Sequence, residues 1–500
     1  MQRVAENFFR VAKCGRKCYH KQEEKRKGRE KEMEKNGRYI GVVTGLTHEG
    51  MGVTRAEGIA VFVPAVCVGD EIEFQVVKLL KNYAYGRLVR LITPSKDRVA
   101  AKCPVFPKCG GCVTRTLSYE AEAAAKCKNT EENFKKLGGL DLQAEEMLTH
   151  RPDRYRNKAI YPVAKEGEKL VAGFYAQRSH RVIPVSDCLL QPENFAPLLE
   201  KILAFGSQNG WKPFDRETGK GDIRHIFIRA GFATDQRLVT LITASLDLPG
   251  VEILAKELMN FDPGVVGVVL CENRRRDNVL LGEKLVTIAG KGVLEDRLCG
   301  LTFSLSPRSF YQVNPVMAEK LYKKAKEFLV PKKEELLLDL YCGAGTIGLS
   351  MAEDYGRVIG VEIISEAIQN AKENAARNGI ENAEFFCMDA SVAAKRLEES
   401  GLRPDAVVLD PPRKGCDTTC LDAVLAMAPR KIAMISCNSA TAARDAAYLS
   451  ERGYRITRFA VADLFPRTAH CECVLCLSRE KADDYIRISV QTKDLQTKAN

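Results

Sequence analysis

The first candidate for chemistry is a cysteine at the end of a short apolar run. The segment Lys431–Asn438 ends on Cys437, which lies between Ser436 and Asn438. A thiolate is a strong nucleophile, and in an open parallel sheet ligands bind at the carboxyl ends of the strands. Most single cysteines instead pack as small apolar side chains, so Cys437 needs support from its neighbours.

That support comes from acid–base groups further along the chain. A thiolate that adds to a carbon–carbon double bond activates the neighbouring carbon, from which a base must later take a proton. Such chemistry needs a cysteine with a carboxylate or histidine beside it. The segment Asp463–Val474 offers His470 and Glu472. We predict that Glu472 is the base and that His470 shapes the loop.

A glycine-rich turn predicts a nucleotide-type cofactor. Leu336–Gly348 is an apolar strand followed by Gly343, Gly345 and Gly348, after which a helix opens. Such glycines permit a tight turn and close backbone approach. Glu362 ends the next strand, where its carboxylate can accept hydrogen bonds from ribose hydroxyls. The glycine spacing alone is also compatible with NAD.

The following strands favour S-adenosylmethionine. The third strand ends at Asp389, whose carboxylate can reach an adenine amino group, and the fourth leads into Asp410-Pro-Pro-Arg-Lys-Gly. Amino-methylating enzymes place an aromatic residue after the two prolines, where this chain has Arg413. Cytosine-C5 enzymes have a Pro-Cys pair in this loop, whereas Cys416 follows the glycine. Carbon methylation of a uracil is therefore favoured.

A second set of cysteines indicates a metal centre. Cys103, Cys109 and Cys112 form a C-x5-C-x2-C array, with two glycines between the last two. Cys188 is the leading candidate for a fourth thiolate, because Cys127 lies in a helical Ala-Glu-Lys stretch. Four thiolates suit zinc or an iron–sulfur cluster, and one tight triplet with a distant cysteine is more typical of a cluster. We expect a structural or RNA-positioning role for it.

Four regions must position these residues. Residues 332–478 alternate strands with amphipathic helices, which predicts an open, mostly parallel sheet. Residues 37–91 read as five short strands with glycine turns, which fits an OB-like barrel whose lysines, arginines and tyrosines suit RNA. Residues 113–147 are predicted helical. Residues 151–330 mix strands and helices and include the basic segment Arg151–Lys158.

Composition restricts the class of protein. The 500 residues are 45% hydrophobic and 28% charged, which predicts several globular domains. The net charge is +11, and residues 1–37 contribute +6 of it, from 12 Lys+Arg against 6 Asp+Glu, which favours a polyanionic partner. We find no apolar run of membrane-spanning length and no secretory pattern. We therefore expect a cytoplasmic protein, in which the 18 cysteines stay reduced.

Four motifs together resemble one family. Ser436–Thr441, Asp410–Gly415, Phe465–Glu472 and the cysteine set are similar to the RNA uridine-C5 methyltransferases. The most similar are bacterial 23S ribosomal RNA enzymes with an N-terminal TRAM domain and a [4Fe–4S] cluster. The resemblance runs from about Gly37 to Cys476.

The resemblance implies a multidomain architecture and a set of site residues. It implies a basic flexible arm (1–36), an OB-like β-barrel of the TRAM type (37–92), a central α+β RNA-binding domain with the cluster (93–330), a Rossmann-like α/β methyltransferase domain (331–480) and a tail (481–500). It assigns the catalytic pair to Cys437 and Glu472. It implies two further groups: S-adenosylmethionine contacts at Gln312, Tyr341, Gly343, Gly345, Glu362, Asp389 and Asp410, and cluster ligands at Cys103, Cys109, Cys112 and Cys188.

Two departures and three alternatives remain. Ser439 stands where many members have proline after the catalytic Cys-Asn, and the arm before Gly37 has no recognised counterpart. The alternatives are the transfer-RNA members of the family, a non-catalytic iron–sulfur RNA-binding protein, and an NAD-dependent enzyme. The transfer-RNA members usually lack the cluster and the TRAM domain. A non-catalytic RNA-binding protein would not need both Cys437 and Glu472. An NAD-dependent enzyme would need a substrate histidine, which the cofactor-binding half of this chain lacks. We expect a monomer that acts on 23S ribosomal RNA away from membranes.

Overall fold

The structure is a computed structural model that describes residues 33–479. Most of the predicted basic arm and the predicted tail at 481–500 lie outside the described residues. The chain divides into two compact units, one that runs to Ala125 and includes Arg467–Ala469, and one of Lys126–Pro466 with the residues from His470 onward.

The first unit is built on one six-stranded sheet with its own core. Its strand order is β1-β5-β6-β4-β3-β2, and valines with Ile72 and Phe74 fill the core. The sequence predicts five of these strands, and the structure adds the short β2; assignment of the sheet to the TRAM type stays a prediction. The strands are β1 Arg38–Val42, β2 Gly45–Leu46, β3 Gly52–Ala56, β4 Ile59–Val63, β5 Glu71–Leu79 and β6 Tyr83–Thr93.

The segment predicted to be helical at 113–147 is only partly so. The helix α1 spans Tyr119–Gly138, and the chain then forms a short strand, β7, at Met147–Leu148. This strand pairs with a strand of the C-terminal sheet, with Met147 opposite Val461. The helical prediction therefore holds for Tyr119–Gly138 and is wrong for the residues on either side, because Gly138 and Gly139 end α1 and Met147 pairs with another strand.

The second unit contains a seven-stranded sheet covered on one face by two helices. The order is β10-β9-β8-β11-β12-β13-β14, and α2 and α3 pack on the face that carries Ile226 and Ile228. The elements are β8 Lys158–Glu166, β9 Lys169–Tyr175, β10 Val182–Pro184, α2 Phe195–Gln208, β11 Ile223–Ala230, β12 Arg237–Thr243, α3 Val251–Phe261, β13 Val265–Glu272 and β14 Lys284–Gly290, followed by the hairpin of β15 Leu294–Leu298 and β16 Leu301–Leu305.

The same unit ends in an eight-stranded sheet with helices on both faces. The strand order is β19-β18-β17-β20-β21-β23-β22-β7. The first five strands in this order are parallel to one another, whereas β23 is antiparallel to both of its neighbours. The elements are α4 Pro315–Leu329, β17 Leu336–Leu340, α5 Thr346–Met351, a 3-10 turn at Ala352–Asp354, β18 Arg357–Glu362, α6 Ser365–Arg377, β19 Ala383–Cys387, α7 Ala390–Glu399, β20 Ala406–Leu409, α8 Thr418–Met427, β21 Lys431–Ser436, α9 Ser439–Ser450, β22 Arg455–Ala462 and β23 Glu472–Ser478.

This sheet confirms the predicted open, mostly parallel architecture. Its central strands are buried on both faces, as for Leu337–Leu340, because one hydrophobic cluster lies on each side of the sheet. The strand order reverses between β17 and β20, and ligands bind in the crevice at such a switch point. Among residues 33–479, no helix combines the length and apolarity needed to cross a membrane.

Candidate active site

Cys437 lies at the carboxyl end of β21, where its backbone is fixed on both sides. Ser436 Oγ accepts a hydrogen bond from Asn438 N at 3.1 Å, and the Asn438 side chain caps α9 by accepting from Ala440 N at 3.1 Å. Asn438 Nδ2 also donates to the Arg413 carbonyl at 2.9 Å. The strand end, the helix cap and the loop after β20 therefore position the half-buried Cys437 together.

The register of the antiparallel pair β21·β23 brings Glu472 to this cysteine. Ser436 is paired with Cys473, so the next position of the same register sets Cys437 opposite Glu472. Directly opposed residues in antiparallel strands have Cα atoms about 4.5–5.5 Å apart. The two residues predicted as nucleophile and base are thus neighbours in space, although they are 35 positions apart in the sequence.

The electrostatics of the pair follow from burial and from two nearby side chains. Glu472 is 4% exposed, and burial together with Asp410 raises its pKa to about 8. Burial likewise raises the pKa of Asp410 to about 7. Burial, then Glu472 and Asp410, raise the pKa of the Cys437 thiol, whereas the Arg413 guanidinium, which hydrogen-bonds to it, lowers it. Arg413 is therefore the group that favours the thiolate.

His470 lies beside Arg413, which agrees with its predicted role in the loop. Arg413 Nη2 and His470 Nε2 are 3.3 Å apart, and because arginine has no acceptor, the imidazole nitrogen accepts. Burial and then Arg413 lower the pKa of His470, so the ring stays neutral near neutral pH.

The loop that leads to Glu472 is held by residues that sequence reasoning missed. Lys126 of α1 pairs with buried Asp463 at 2.9 Å and donates to the Phe465 carbonyl at 3.2 Å. Asn314, the cap of α4, donates to the Leu464 carbonyl at 3.2 Å. Because these contacts join residues more than 100 positions apart, no local pattern could reveal them.

The predicted cofactor residues surround the crevice at the switch point. Glu362 accepts hydrogen bonds from Gly343 N at 3.2 Å and from Ile364 N at 3.0 Å. Gly343 and Gly345 have positive φ angles of 56° and 79°, and a Cβ at Gly343 would meet open space, so a ligand can approach this backbone closely.

Other walls of the crevice match a nucleoside and an amino-acid moiety. Asp389 caps α7, accepting from Ser391 N at 3.0 Å. Near it, Ile363 is 62% and Phe386 42% exposed, which leaves apolar surface for an aromatic base. Tyr341, at the end of β17, has a positive φ of 67° and packs against the hydrophobic cluster on one face of the sheet. These donors, acceptors and apolar side chains fit S-adenosylmethionine.

Two buried polar residues, Tyr322 and Asp339, lie beside the predicted Gln312 and the glycine turn. The buried Tyr322 hydroxyl hydrogen-bonds to Gln312 and lies 3.4 Å from Thr346 Oγ1. Asp339 is fully buried, accepts from Gly348 N at 2.9 Å, and has its Oδ1 without a hydrogen-bond partner. Burial raises the pKa of Asp339 to about 8. An unpaired buried carboxylate oxygen at the glycine turn is a signal that only the fold reveals.

An exposed aromatic residue marks the approach to the crevice. Phe310, two residues before Gln312, is 64% exposed, and Lys158 Nζ lies 6.0 Å from its ring centroid. Burial, then Arg229 and Arg156, lower the pKa of Lys158 to about 8. Basic and aromatic groups therefore extend from the predicted basic segment to the active site.

Arg154, in the same basic segment, forms structural contacts with other protein residues. Arg154 makes a bidentate ion pair with Asp187, at 2.6 and 2.7 Å, and donates to the carbonyls of Cys188 and Gln191. The Arg154 guanidinium is therefore engaged with the Cys188 loop and holds that loop in place.

The predicted cluster ligands are not brought into a recognisable metal site within the described part of the chain. No group of three or more His, Cys, Asp or Glu side chains in residues 33–479 is arranged to hold a metal ion. Within the first unit, Cys109 Sγ accepts from Gly111 N at 3.4 Å and Cys112 Sγ from Arg115 Nε at 3.3 Å. Such N–H···S bonds suit thiolates, and the cluster stays a prediction.

Comparisons with known proteins show the family to which this chain belongs. Residues 266–480 match the family model described as tRNA (uracil-5-)-methyltransferase. The chain is 37% identical over 447 residues to an uncharacterized RNA methyltransferase of Clostridium tetani, covering 89% of this chain and 97% of that protein. It is 38% identical over 449 residues to another from Bacillus cereus, covering 89% and 98%.

A solved structure has a similar fold. The Pyrococcus abyssi tRNA (uracil-54, C5)-methyltransferase in complex with S-adenosyl-L-homocysteine superimposes with a TM-score of 0.71, over 88% of this chain and 99% of that one. The two sequences are 24% identical, so the likeness concerns the fold.

Proposed function

Because this chain belongs to a family of RNA methyltransferases and carries their tRNA (uracil-5-)-methyltransferase domain, we propose that it methylates carbon-5 of uridine in 23S ribosomal RNA. The observation that carries the proposal is the register of β21 and β23, which sets Cys437 opposite Glu472. A nucleophile and a base side by side, at the carboxyl edge of a methyltransferase-type sheet, are what uracil-C5 chemistry needs.

The chemistry is divided between these side chains. The Cys437 thiolate adds to carbon-6 of the uracil, and the electron pair moves to the enolate that activates carbon-5. S-adenosylmethionine, when bound, supplies the electrophilic methyl group that carbon-5 takes. Glu472 then removes the carbon-5 proton, the bond from carbon-6 to sulfur breaks, and the thiolate is regenerated. Arg413 stabilises the thiolate before attack, because it lowers the pKa of Cys437.

The proposed base is suited to its task. Its pKa of about 8 lies near neutral pH, where a base both takes a proton readily and is ionised in a useful fraction of molecules. A fully solvated glutamate, with a pKa of about 4.3, would be a much weaker base.

The choice of RNA rests on the family resemblance. The Pyrococcus abyssi protein of similar fold is named for transfer RNA, and the same chemistry on transfer RNA is the second candidate. The TRAM-like sheet and the cysteine set are the features of this chain that favour ribosomal RNA.

We include the six-stranded sheet of the first unit in the RNA-binding surface. Phe62, Tyr83 and Tyr85 are half-buried, and their ring centroids lie 5.5–5.8 Å apart on one face of the sheet. Lys78 is the cross-strand partner of Tyr85, and Arg87 follows on the same strand. Adjacent aromatic rings flanked by cations form a stacking platform for unpaired bases.

The [4Fe–4S] cluster on Cys103, Cys109, Cys112 and Cys188 is kept as part of the proposal, on the resemblance alone. Iron and acid-labile sulfide, measured on protein purified without oxygen, test it directly. Four iron and four sulfide per chain are expected from the cluster type, with loss of both in Cys109→Ser. Absence of iron from fully folded wild type would remove the cluster from the proposal.

The proposed reaction is tested by trapping with RNA that contains 5-fluorouridine. The base cannot remove fluorine from carbon-5, so the enzyme should stay covalently joined to the methylated RNA. We expect an adduct that depends on S-adenosylmethionine in wild type and is absent in Cys437→Ala. In Glu472→Gln, ordinary uridine RNA should also accumulate the adduct, because the carbon-5 proton is not removed.

Cys471→Ala is the matched control, because that half-buried thiol contacts the Ala462 carbonyl and has no part in the proposed reaction. It should keep the adduct. Running 23S and transfer-RNA transcripts in parallel chooses between the two substrate classes. If wild type that binds RNA and cofactor forms no adduct with either transcript, the uridine-C5 proposal is wrong.

A further inference from the structure

A cavity outside the active site lies against the basic segment of the second unit. It has a volume of about 530 Å3 and is lined by Arg151, Arg154, Pro192–Asn194, Ala230–Phe232 and Asp235. Ligand pockets for small molecules have volumes of about 300–1,000 Å3, so this one accepts a group of nucleotide size but not a duplex.

The lining supplies two features that a nucleotide needs. The exposed Arg151 guanidinium lies 5.9 Å from the centroid of the Phe232 ring, which combines a cation for a phosphate with an aromatic face for a base.

The other charged side chains of the wall are engaged in ion pairs. Arg154 is held by Asp187 and also approaches Glu193 at 3.6 Å. Asp235 is paired with Arg237 at 2.5 Å. Arg151 is therefore the cation that the cavity offers to an anionic ligand.

Two hydrogen bonds connect the cavity wall to the active site. Ala230 N donates to the Asn157 carbonyl at 2.7 Å, and Asn157 Nδ2 donates to the Gln312 carbonyl at 2.9 Å. The cavity wall and the Gln312 side of the crevice are therefore joined through Asn157.

We propose that this cavity binds one unpaired nucleotide of the substrate RNA, other than the target uridine, with its base against Phe232 and its phosphate on Arg151. The proposal rests on the proposed function, since it names a second contact for the same substrate. It assigns the cavity a role in RNA affinity and selection of the site, not in the chemical step.

The test compares Phe232→Ala and Arg151→Ala with Phe261→Ala. Phe261 is a matched control, because it is an exposed phenylalanine with a cation, Lys201, 5.6 Å from its ring centroid, and it does not line the cavity. The RNA is the transcript that wild type methylates, and the Kd for RNA, the KM for RNA and for S-adenosylmethionine, and kcat are measured.

We expect the Kd and the KM for RNA to rise about tenfold in each of the two cavity variants, because one stacked base or one charged contact is lost. The kcat value and the KM for S-adenosylmethionine should not change, since binding lost equally from ground and transition states leaves kcat unaltered. Phe232→Tyr should restore RNA binding, and Phe261→Ala should behave as wild type.

Phe232 also packs against the core of the seven-stranded sheet, so its alanine variant can lose stability. Arg151 is exposed, so Arg151→Ala should not lose stability, and its RNA affinity then tests the proposal by itself. RNA affinity equal to that of Phe261→Ala in both cavity variants would overturn the proposal while leaving the proposed function intact. Tight binding of free adenosine or uridine monophosphate that does not compete with RNA would assign the cavity to a free nucleotide instead. Wild type that neither binds nor methylates RNA would reject both proposals.

Discussion

At the scale of single residues, the site depends on carboxylates that are kept from solvent. Glu472, Asp410 and Asp339 all have pKa values raised to between about 7 and 8, with burial as the largest cause. Burial disfavours an ionised carboxylate, so each of these groups holds a proton more tightly in the folded than in the unfolded chain. The arrangement that makes Glu472 an effective base therefore reduces stability at neutral and alkaline pH.

Replacement of Glu472 by glutamine tests this trade-off. The pKa of Glu472 rises from 4.5 unfolded to about 8 folded, so the stability linked to its protonation is present below pH 4.5 and is lost as pH rises through 8. Glu472→Gln should exceed wild type in free energy of unfolding by on the order of 2 kcal/mol near pH 8, and by much less near pH 5.

Urea unfolding at the two pH values measures the difference. Glu381→Gln, at an exposed position, is the control and should change stability little at either pH. A stabilisation of Glu472→Gln that is equal at both pH values would contradict the assigned pKa.

At the scale of elements, the loop after β20 is fastened to α9. Asp445 of α9 accepts a hydrogen bond from Cys416 N at 2.8 Å, and Thr441 Oγ1 donates to the Arg413 carbonyl at 3.3 Å. Since Asn438 caps α9 and also contacts Arg413, the helix that follows the nucleophile sets the position of the arginine that favours its thiolate.

Gly415→Ala should disrupt this connection. Gly415 has φ of 78°, and a Cβ there would lie 2.5 Å from Arg444 Nη2, 2.6 Å from Asp445 Oδ2 and 3.0 Å from Thr441 Cβ. We expect a loss of about 2–4 kcal/mol in the free energy of unfolding, because backbone strain and a clash add. Methylation should also slow, since Arg413 would shift.

The matched control is Gly401→Ala, because Gly401 has a similar φ of 80° but open space around its Cβ. It should cost only the backbone strain, about 1 kcal/mol, and leave methylation unchanged. Urea unfolding and initial methylation rates measure both variants. If the two variants lost equal stability and equal methylation rate, the clash of a Cβ at Gly415 with α9 would contribute nothing to either effect.

At the scale of the whole molecule, charge is concentrated before the first sheet. Residues 1–32 carry 11 Lys+Arg and 5 Glu, a net +6 out of +11. Contacts between cations and phosphates release counterions, so RNA affinity falls with salt in proportion to their number.

Deletion of residues 1–32 should therefore weaken RNA binding and flatten the slope of log Kd against log salt, with kcat unchanged. Deletion of residues 481–500, which carry 4 Lys+Arg and 3 Asp for a net +1, is the control and should leave the slope as in wild type. The slopes are measured by fluorescence anisotropy over a series of salt concentrations, with the transcript that wild type methylates. An unchanged slope in the first deletion would show that the basic arm does not contact RNA.

The sequence by itself determined the parallel sheet, the glycine turn and the identity of Cys437 as the residue at a strand end, because local patterning and short motifs carry that information. Only the tertiary structure decided which partners these residues meet. The opposition of Cys437 and Glu472 depends on the strand register, and the support from Lys126 joins positions 337 residues apart. Burial raises the pKa of Glu472, and burial is a property of the packed fold, which no segment of the chain possesses alone.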